Sequence, residues 1–218
     1  MSKSFYVRRG CRNPGEDARL VWHHLYSDVS NRDWSQNFRR IVSIDPGIVN
    51  LALRVESRTI DGKIQVEVFE KTNLEKIEIP NSDGEETTYF KAISFLDKFR
   101  SFFLQSHIII VERQIMPNYS MVRLQQHFMT YFTFILQESK FYPLLVEIHP
   151  RMKNNFFQMP KGSNAKKWIV EKAVEILTQR GDLTSIEMMS NKFKKEKKDD
   201  LSVVVVQIEV VWKQLGWN

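Results

Sequence analysis

The sequence predicts an α/β fold, a mixed sheet of five strands flanked by helices. Three observations carry that expectation. Residues 40–69 hold short apolar or alternating runs broken by turn residues, two further apolar runs at 107–112 and 142–148 stand between stretches of helical periodicity, and the chain ends on a long apolar segment. The resulting order, β-β-β-α-β-α-β-α-α, opens as an antiparallel meander and continues through helices.

Residues 1–38 form an N-terminal extension rich in charge and aromatics, including Trp22, His23, His24, Tyr26 and Trp34, with a weak helical pattern after Pro14. It receives no role, and its acids Glu16, Asp17 and Asp28 speak against a mitochondrial targeting peptide. The folded domain is expected over 39–218. Residues 41–45 read as a buried strand that Pro46 and Gly47 stop at once; 50–56 is its hairpin partner. Residues 63–69, with Ile64, Val66 and Val68 alternating, follow the Asp61-Gly62 turn as a third strand. A polar loop with Pro80, Asn81 and Gly84 leads to a helix over 88–104, where Phe90, Ile93, Leu96 and Phe103 fall at helical spacing.

Residues 107–112 and 142–148 are the fourth and fifth strands, separated by a helix over 121–139. That helix has apolar side chains on more than one face (Val122, Phe128, Tyr131, Phe132, Phe134, Ile135), which fits either burial against a second subunit or a wide core contact. Residues 166–180 repeat Ile169, Ala173, Ile176 and Leu177 on one helical face. The last segment contains four consecutive β-branched residues, 203–206, which by propensity favour a strand. Angular position decides for a helix: Leu201, Val204, Val205, Ile208, Val211, Trp212 and Leu215 share one arc, with Ser202, Glu209 and Lys213 opposite.

A chain of 218 residues with 42% hydrophobic and 27% charged residues is long and apolar enough for one full core. No apolar run approaches the ~20 residues of a membrane-spanning helix, so a soluble protein is expected. Cys11 is the single cysteine, which excludes an internal disulfide and a thiolate metal cluster and fits a reducing, intracellular compartment. The net charge is +6, and residues 151–198 hold twelve Lys or Arg against five Asp or Glu, more than the whole excess. This basic stretch runs directly into Asp199 and Asp200. That juxtaposition favours a phosphate-backbone surface beside a metal site over a merely solvated basic face.

The candidate metal ligands are acids far apart in sequence: Asp45 at a strand end, Glu112 at another, and Asp199 and Asp200 at a helix start. Hard divalent cations prefer carboxylate oxygens, and such ions can activate water and stabilise a leaving oxygen at a phosphodiester. Adjacent strands with the last helix packed across them would bring these acids together.

Ser43-Ile44-Asp45-Pro46-Gly47, Asn50-Leu51-Ala52, Ile110-Val111-Glu112-Arg113-Gln114 and Lys197-Lys198-Asp199-Asp200-Leu201-Ser202 resemble, in order and spacing, the successive motifs of RuvC-type Holliday-junction resolvases, in particular the poxvirus-type and mitochondrial branches. Ile148-His149-Pro150 followed by residues 161–169 resembles that family's segment before its basic catalytic region. The resemblance covers about residues 40–215. It implies an RNase H-like fold, a homodimer, two Mg²⁺ or Mn²⁺ ions per active site, and paired symmetric cuts in a four-way DNA junction at a site of viral or organellar DNA replication. By the same resemblance Asp45 and Glu112 are metal ligands, Asp45 bridging both ions, and Lys166 or Lys167 is the active-site lysine. The loop after Glu112 is where the family opens the junction, which makes Met116 or Tyr119 the residue that stacks on exposed bases. Arg113, Lys153, Lys161, Lys194, Lys195, Lys197 and Lys198 are the expected DNA contacts.

One position departs from the family. Its fourth motif carries two acids three residues apart, and with Asp200 as the first, Val203 stands at the second. Asp199 and Asp200 are taken as the ligands, with Glu196 in reserve, one turn before Asp200. Two other functions share these features: a different RNase H-fold nuclease, or a junction-binding module that has lost cutting, which Val203 favours.

Overall fold

The computed structural model describes residues 20–23, 38–59, 61–79, 87–140, 143–191 and 199–215. Six strands run over Leu20–His23 (β1), Phe38–Asp45 (β2), Leu51–Thr59 (β3), Ile64–Thr72 (β4), Ile108–Glu112 (β5) and Leu144–Ile148 (β6). They form one sheet in the spatial order β1-β6-β5-β2-β3-β4. The five expected strands are all present and the sheet is mixed: β2, β5 and β6 are parallel neighbours, while β2-β3-β4 is the antiparallel meander. The sixth, β1, comes from the extension, where a weak helical pattern was expected. It pairs antiparallel with the β6 edge, Leu20 opposite Ile148.

Turn chemistry fixes the meander. Gly47 is required between β2 and β3, because a Cβ there would lie 2.6 Å from the carbonyl oxygen of Asn50. Gly62, between β3 and β4, sits at φ 83°, where only glycine is unstrained.

Helices cover both faces. Thr88–Asp97 (α1), Arg100–Leu104 (α2) and Tyr119–Ile135 (α3) pack on one side; Pro150–Phe156 (α4), Ala165–Gln179 (α5), Leu183–Asn191 (α6) and Asp199–Gln214 (α7) on the other. The expected helix over 88–104 is thus two helices, and α4 and α6 were not anticipated. Strand alternation divides the core. Val42, Ile44, Leu53, Val55, Ile109 and Val111 meet α1 to α3, while Ile41, Ala52, Ile108, Ile110 and Val146 meet α5 and α7.

Phe128, Tyr131, Phe132 and Ile135 of α3 are taken by its own core, which accounts for their breadth; Phe134 is 69% exposed. The β-branched run does form a helix, but α7 is buried nearly all round. Ser202 and Glu209, expected opposite the apolar arc, are 0% and 8% exposed, because α5 covers the side that the sheet leaves open. Among the described residues no helix is long and apolar enough to cross a membrane.

Candidate metal centre

The site is a row of side chains across one end of the sheet. Asp45, the last residue of β2, pairs with Ala52 of β3, and Ala52 pairs with Lys71 of β4. On the other flank the parallel β2–β5 register reaches Ile44 opposite Val111, so Glu112 stands beside Asp45. Alternation points this row toward α7, as it does Ser43 and Ile110 two positions earlier on their strands. The N-terminus of α7 then brings Asp199 and Asp200 over it.

Electrostatics register the convergence. The Asp45 carboxyl is held well above its usual range, first by burial and then by Glu112, with Asp200 and Asp199 adding to the push and Lys153 opposing it. Asp200 is also raised, by burial and by Asp199, against the pull of Lys71. Four carboxylates from β2, β5 and α7 therefore share one neighbourhood.

Cations and amides already meet most of them. The Glu112 Oε2 atom accepts hydrogen bonds from Lys153 Nζ and from Gln207 Nε2. Ser43 Oγ donates to Gln207 Oε1 at 2.6 Å, which turns the Gln207 amide so that its NH₂ faces Glu112. Lys71 Nζ lies 3.1 Å from Asp200 Oδ2, and Lys166 Nζ 3.2 Å from Asp199 Oδ2.

Local structure explains how these lysines arrive. His149 caps α4, its Nδ1 accepting from the Arg151 amide at 3.2 Å, and Pro150 starts the helix, which delivers Lys153 one turn later. Asn164 caps α5 by accepting from the amides of Lys166 and Lys167. Cations in the first turn oppose the helix dipole; Lys166 is compensated by Asp199 and Lys167 by Glu171 at 3.7 Å.

The structure thus gathers Asp45, Glu112, Asp199, Asp200 and Lys166. Lys167 turns to solvent. Lys153 requires a correction: expected on the DNA-facing surface, it is 4% exposed and spent on Glu112, since a lysine buried this deeply must be paired. Lys161 and Arg113 are on the surface, Arg113 being 3.6 Å from Glu147. Met116 and Tyr119 are 53% and 65% exposed beside the strand end that carries Glu112. Lys194, Lys195, Glu196, Lys197 and Lys198 lie outside the described residues. Val203 packs against the apolar core and offers no ligand.

Lys71 and Gln207 were missed. Gln207 had a signal: it is the one polar residue among 203–208 and lies one turn beyond Val203. Lys71 had none, because its place depends on the register of three strands.

The donor set, all carboxylate oxygen with an excess of negative charge around Asp45, fits a hard divalent cation. Among the described residues, however, no group of three or more His, Cys, Asp or Glu side chains is arranged to hold a metal ion.

No protein-family profile matches the chain. A curated relative, the uncharacterized protein 170L of Invertebrate iridescent virus 6, is 25% identical over 142 residues, 56% of this chain and 56% of that protein, so the chain matches little more than half the length of its relative. The yeast mitochondrial Holliday-junction resolvase Ydc2 superposes with a TM-score of 0.56 at 16% identity, over 82% of each chain. RuvC of Thermus thermophilus gives a TM-score of 0.50 at 15% identity, over 81% of this chain and 96% of that one. The fold is that of the RuvC-type resolvases, and the likeness leaves the branch undivided.

Proposed function

We propose that this chain is a divalent-metal-dependent DNA endonuclease that resolves four-way junctions by paired symmetric cuts. The observation that carries the reading is the gathering of Asp45, Glu112, Asp199 and Asp200 at one end of a resolvase-like sheet. Bound among Asp45, Asp199, Asp200 and Glu112, Mg²⁺ or Mn²⁺ would supply activation of an attacking water and charge neutralisation at the leaving oxygen.

The remaining work falls to the chain's own side chains. Lys166, with 71% of its side chain exposed, can leave Asp199 for the scissile phosphate. Arg113, Lys161 and Lys167, all exposed, would offer phosphate contacts, and their binding weakens with salt. Tyr119 and Met116, exposed in the segment that follows Glu112, would stack on bases unpaired at the crossover. Two cuts related by a two-fold axis need two such sites, so the acting species is a homodimer.

The test is a cleavage assay on a four-way junction with Mg²⁺ or Mn²⁺ added last. Symmetric, nearly simultaneous nicks in the two opposing strands are expected. Single nicks in simple duplexes would point to another RNase H-fold nuclease. A specific observation favours a second reading, a junction binder without cutting: Val203 stands in place of an acid, and lysines occupy Glu112, Asp199 and Asp200. It predicts tight junction binding and no cleavage with either metal.

A further inference from the structure

The acids face α7. On the opposite face of the same sheet end lies a second polar cluster, built from Arg113, Gln114, Gln125 and Glu147. Gln125 stands on the core-facing side of α3 with Leu124, Phe128 and Phe132, and it is 1% exposed. A carboxamide buried this deeply needs partners at both ends. Its Oε1 accepts the Gln114 backbone N–H at 3.2 Å, and its Nε2 donates to Glu147 Oε1 at 3.0 Å. Glu147 is the register partner of Val111 in the parallel β5–β6 pair. One side chain thus ties α3 to β6 and to the segment that leaves β5.

Arg113 joins the same carboxylate. Its Nε lies 3.6 Å from Glu147 Oε1, and its backbone N–H donates to the Ile148 carbonyl at 2.8 Å. The Glu147 side chain is 12% exposed and that of Arg113 52%. With Nε on Glu147, the two terminal amino groups form an edge that can take two oxygens of one phosphate. The segment continues to Met116 and Tyr119, exposed at 53% and 65%, and Asn118 caps α3 by accepting from the Met121 amide. Both of its ends are therefore fastened to α3.

We propose that Gln125 and Glu147 are positioning residues for junction recognition, which hold the Arg113 guanidinium as a fork for one DNA phosphate at a fixed place relative to Met116 and Tyr119. The inference rests on the junction-resolving reading given above and deepens it. A simple duplex gains from the charge of Arg113 wherever it lands, whereas a four-way junction also gains from its placement beside unpaired bases. An unanchored arginine must be ordered on binding, which corresponds to about a 2- to 12-fold loss of affinity.

The experiment measures binding of the full chain, by fluorescence anisotropy, to a four-way junction and to a duplex of the same sequence, in EDTA so that no cutting intervenes. Wild type is expected to prefer the junction. Glu147→Gln and Gln125→Leu are each expected to lower that preference about 2- to 12-fold, with duplex affinity unchanged or, for Glu147→Gln, raised by the loss of a negative charge. Arg113→Lys keeps the charge without the fork and is expected to do the same; adding Glu147→Gln to it should lower the preference no further, because Glu147 acts through Arg113. An equal loss on both DNAs, or losses that add in the double variant, would overturn the proposal in favour of a merely structural role. Wild-type preference in folded Glu147→Gln or Gln125→Leu would overturn it too. Should both fail to fold by circular dichroism, Arg113→Lys, altered on an exposed side chain, decides, and an unchanged preference there overturns the proposal. A wild type that binds both DNAs alike would sink the junction-resolving reading itself, which the other failures leave intact.

Discussion

Asp45 concentrates the chemistry of the site in one side chain. Its carboxyl is raised above the ordinary 3.8 because burial and three neighbouring carboxylates all disfavour its charge. A group raised in this way opposes folding increasingly as pH rises above its ordinary 3.8, in full once pH exceeds its folded value, and the opposition vanishes as pH falls below 3.8 and the carboxyl is protonated in both states. Asp45→Asn should therefore raise the melting temperature of the metal-free protein at neutral pH, by roughly 2–4 °C for each kcal/mol relieved in a chain of this size. Adding Mg²⁺ should raise the melting temperature of wild type and not of the variant. The same change should lower junction cutting by about a hundredfold or more, the several kcal/mol a metal contributes at a phosphoryl oxygen, with junction binding near normal. Differential scanning fluorimetry and a gel cleavage assay read the two effects. Asp45 and Glu112 were legible because each closes an apolar strand. Lys153 was not, since nothing near it announces a partner 41 positions away.

Among the elements, β3 shows why alternation alone misleads. Arg54, Glu56 and Arg58 alternate with apolar residues as on a strand with a wet face, yet they are 0%, 0% and 4% exposed. That face is covered by α5, α6 and α7, and its charges are neutralised internally. Arg54 meets Glu56 at 2.7 Å and Asp182 at 2.9 Å, Arg58 meets Glu56 at 2.6 Å and Glu209 at 3.2 Å, and Arg180 meets Glu209. Burial alone would raise the Glu56 carboxyl; Arg58, Arg54 and Arg180 outweigh it and hold it far below the usual 4.5. The stability this carboxylate contributes is complete above pH 4.5 and is lost as pH falls below it. Glu56→Gln leaves three buried guanidinium groups undercompensated and should cost about 3–5 kcal/mol. Urea denaturation checks it, and the variant should lack wild type's acid loss of stability from this group. Helix α7 carries the same lesson from the opposite side: its β-branched run is helical because burial on every side outweighs a propensity difference of ~1 kcal/mol or less.

On the scale of the whole molecule, α3 turns Arg123, His127, Thr130 and Phe134 outward, all exposed. Phe134 is the large apolar side chain of that stripe, and in the proposed homodimer it would be the anchor for the second copy of the chain. Phe134→Asp should convert a dimer to a monomer in sedimentation equilibrium. Its junction products should change from paired cuts to independent nicks, while metal binding per chain is kept.

The sequence by itself determined five strands and the helical end of the chain, and it singled out Asp45 and Glu112 at strand ends, because each is written in local periodicity or in the residues that stop a strand. The tertiary structure alone decided which cations sit on those acids, that β1 joins the sheet edge, and that the polar side of β3 is interior. Those outcomes depend on strand register and on which helix covers which face, and such contacts join residues whose separation along the chain leaves no local trace.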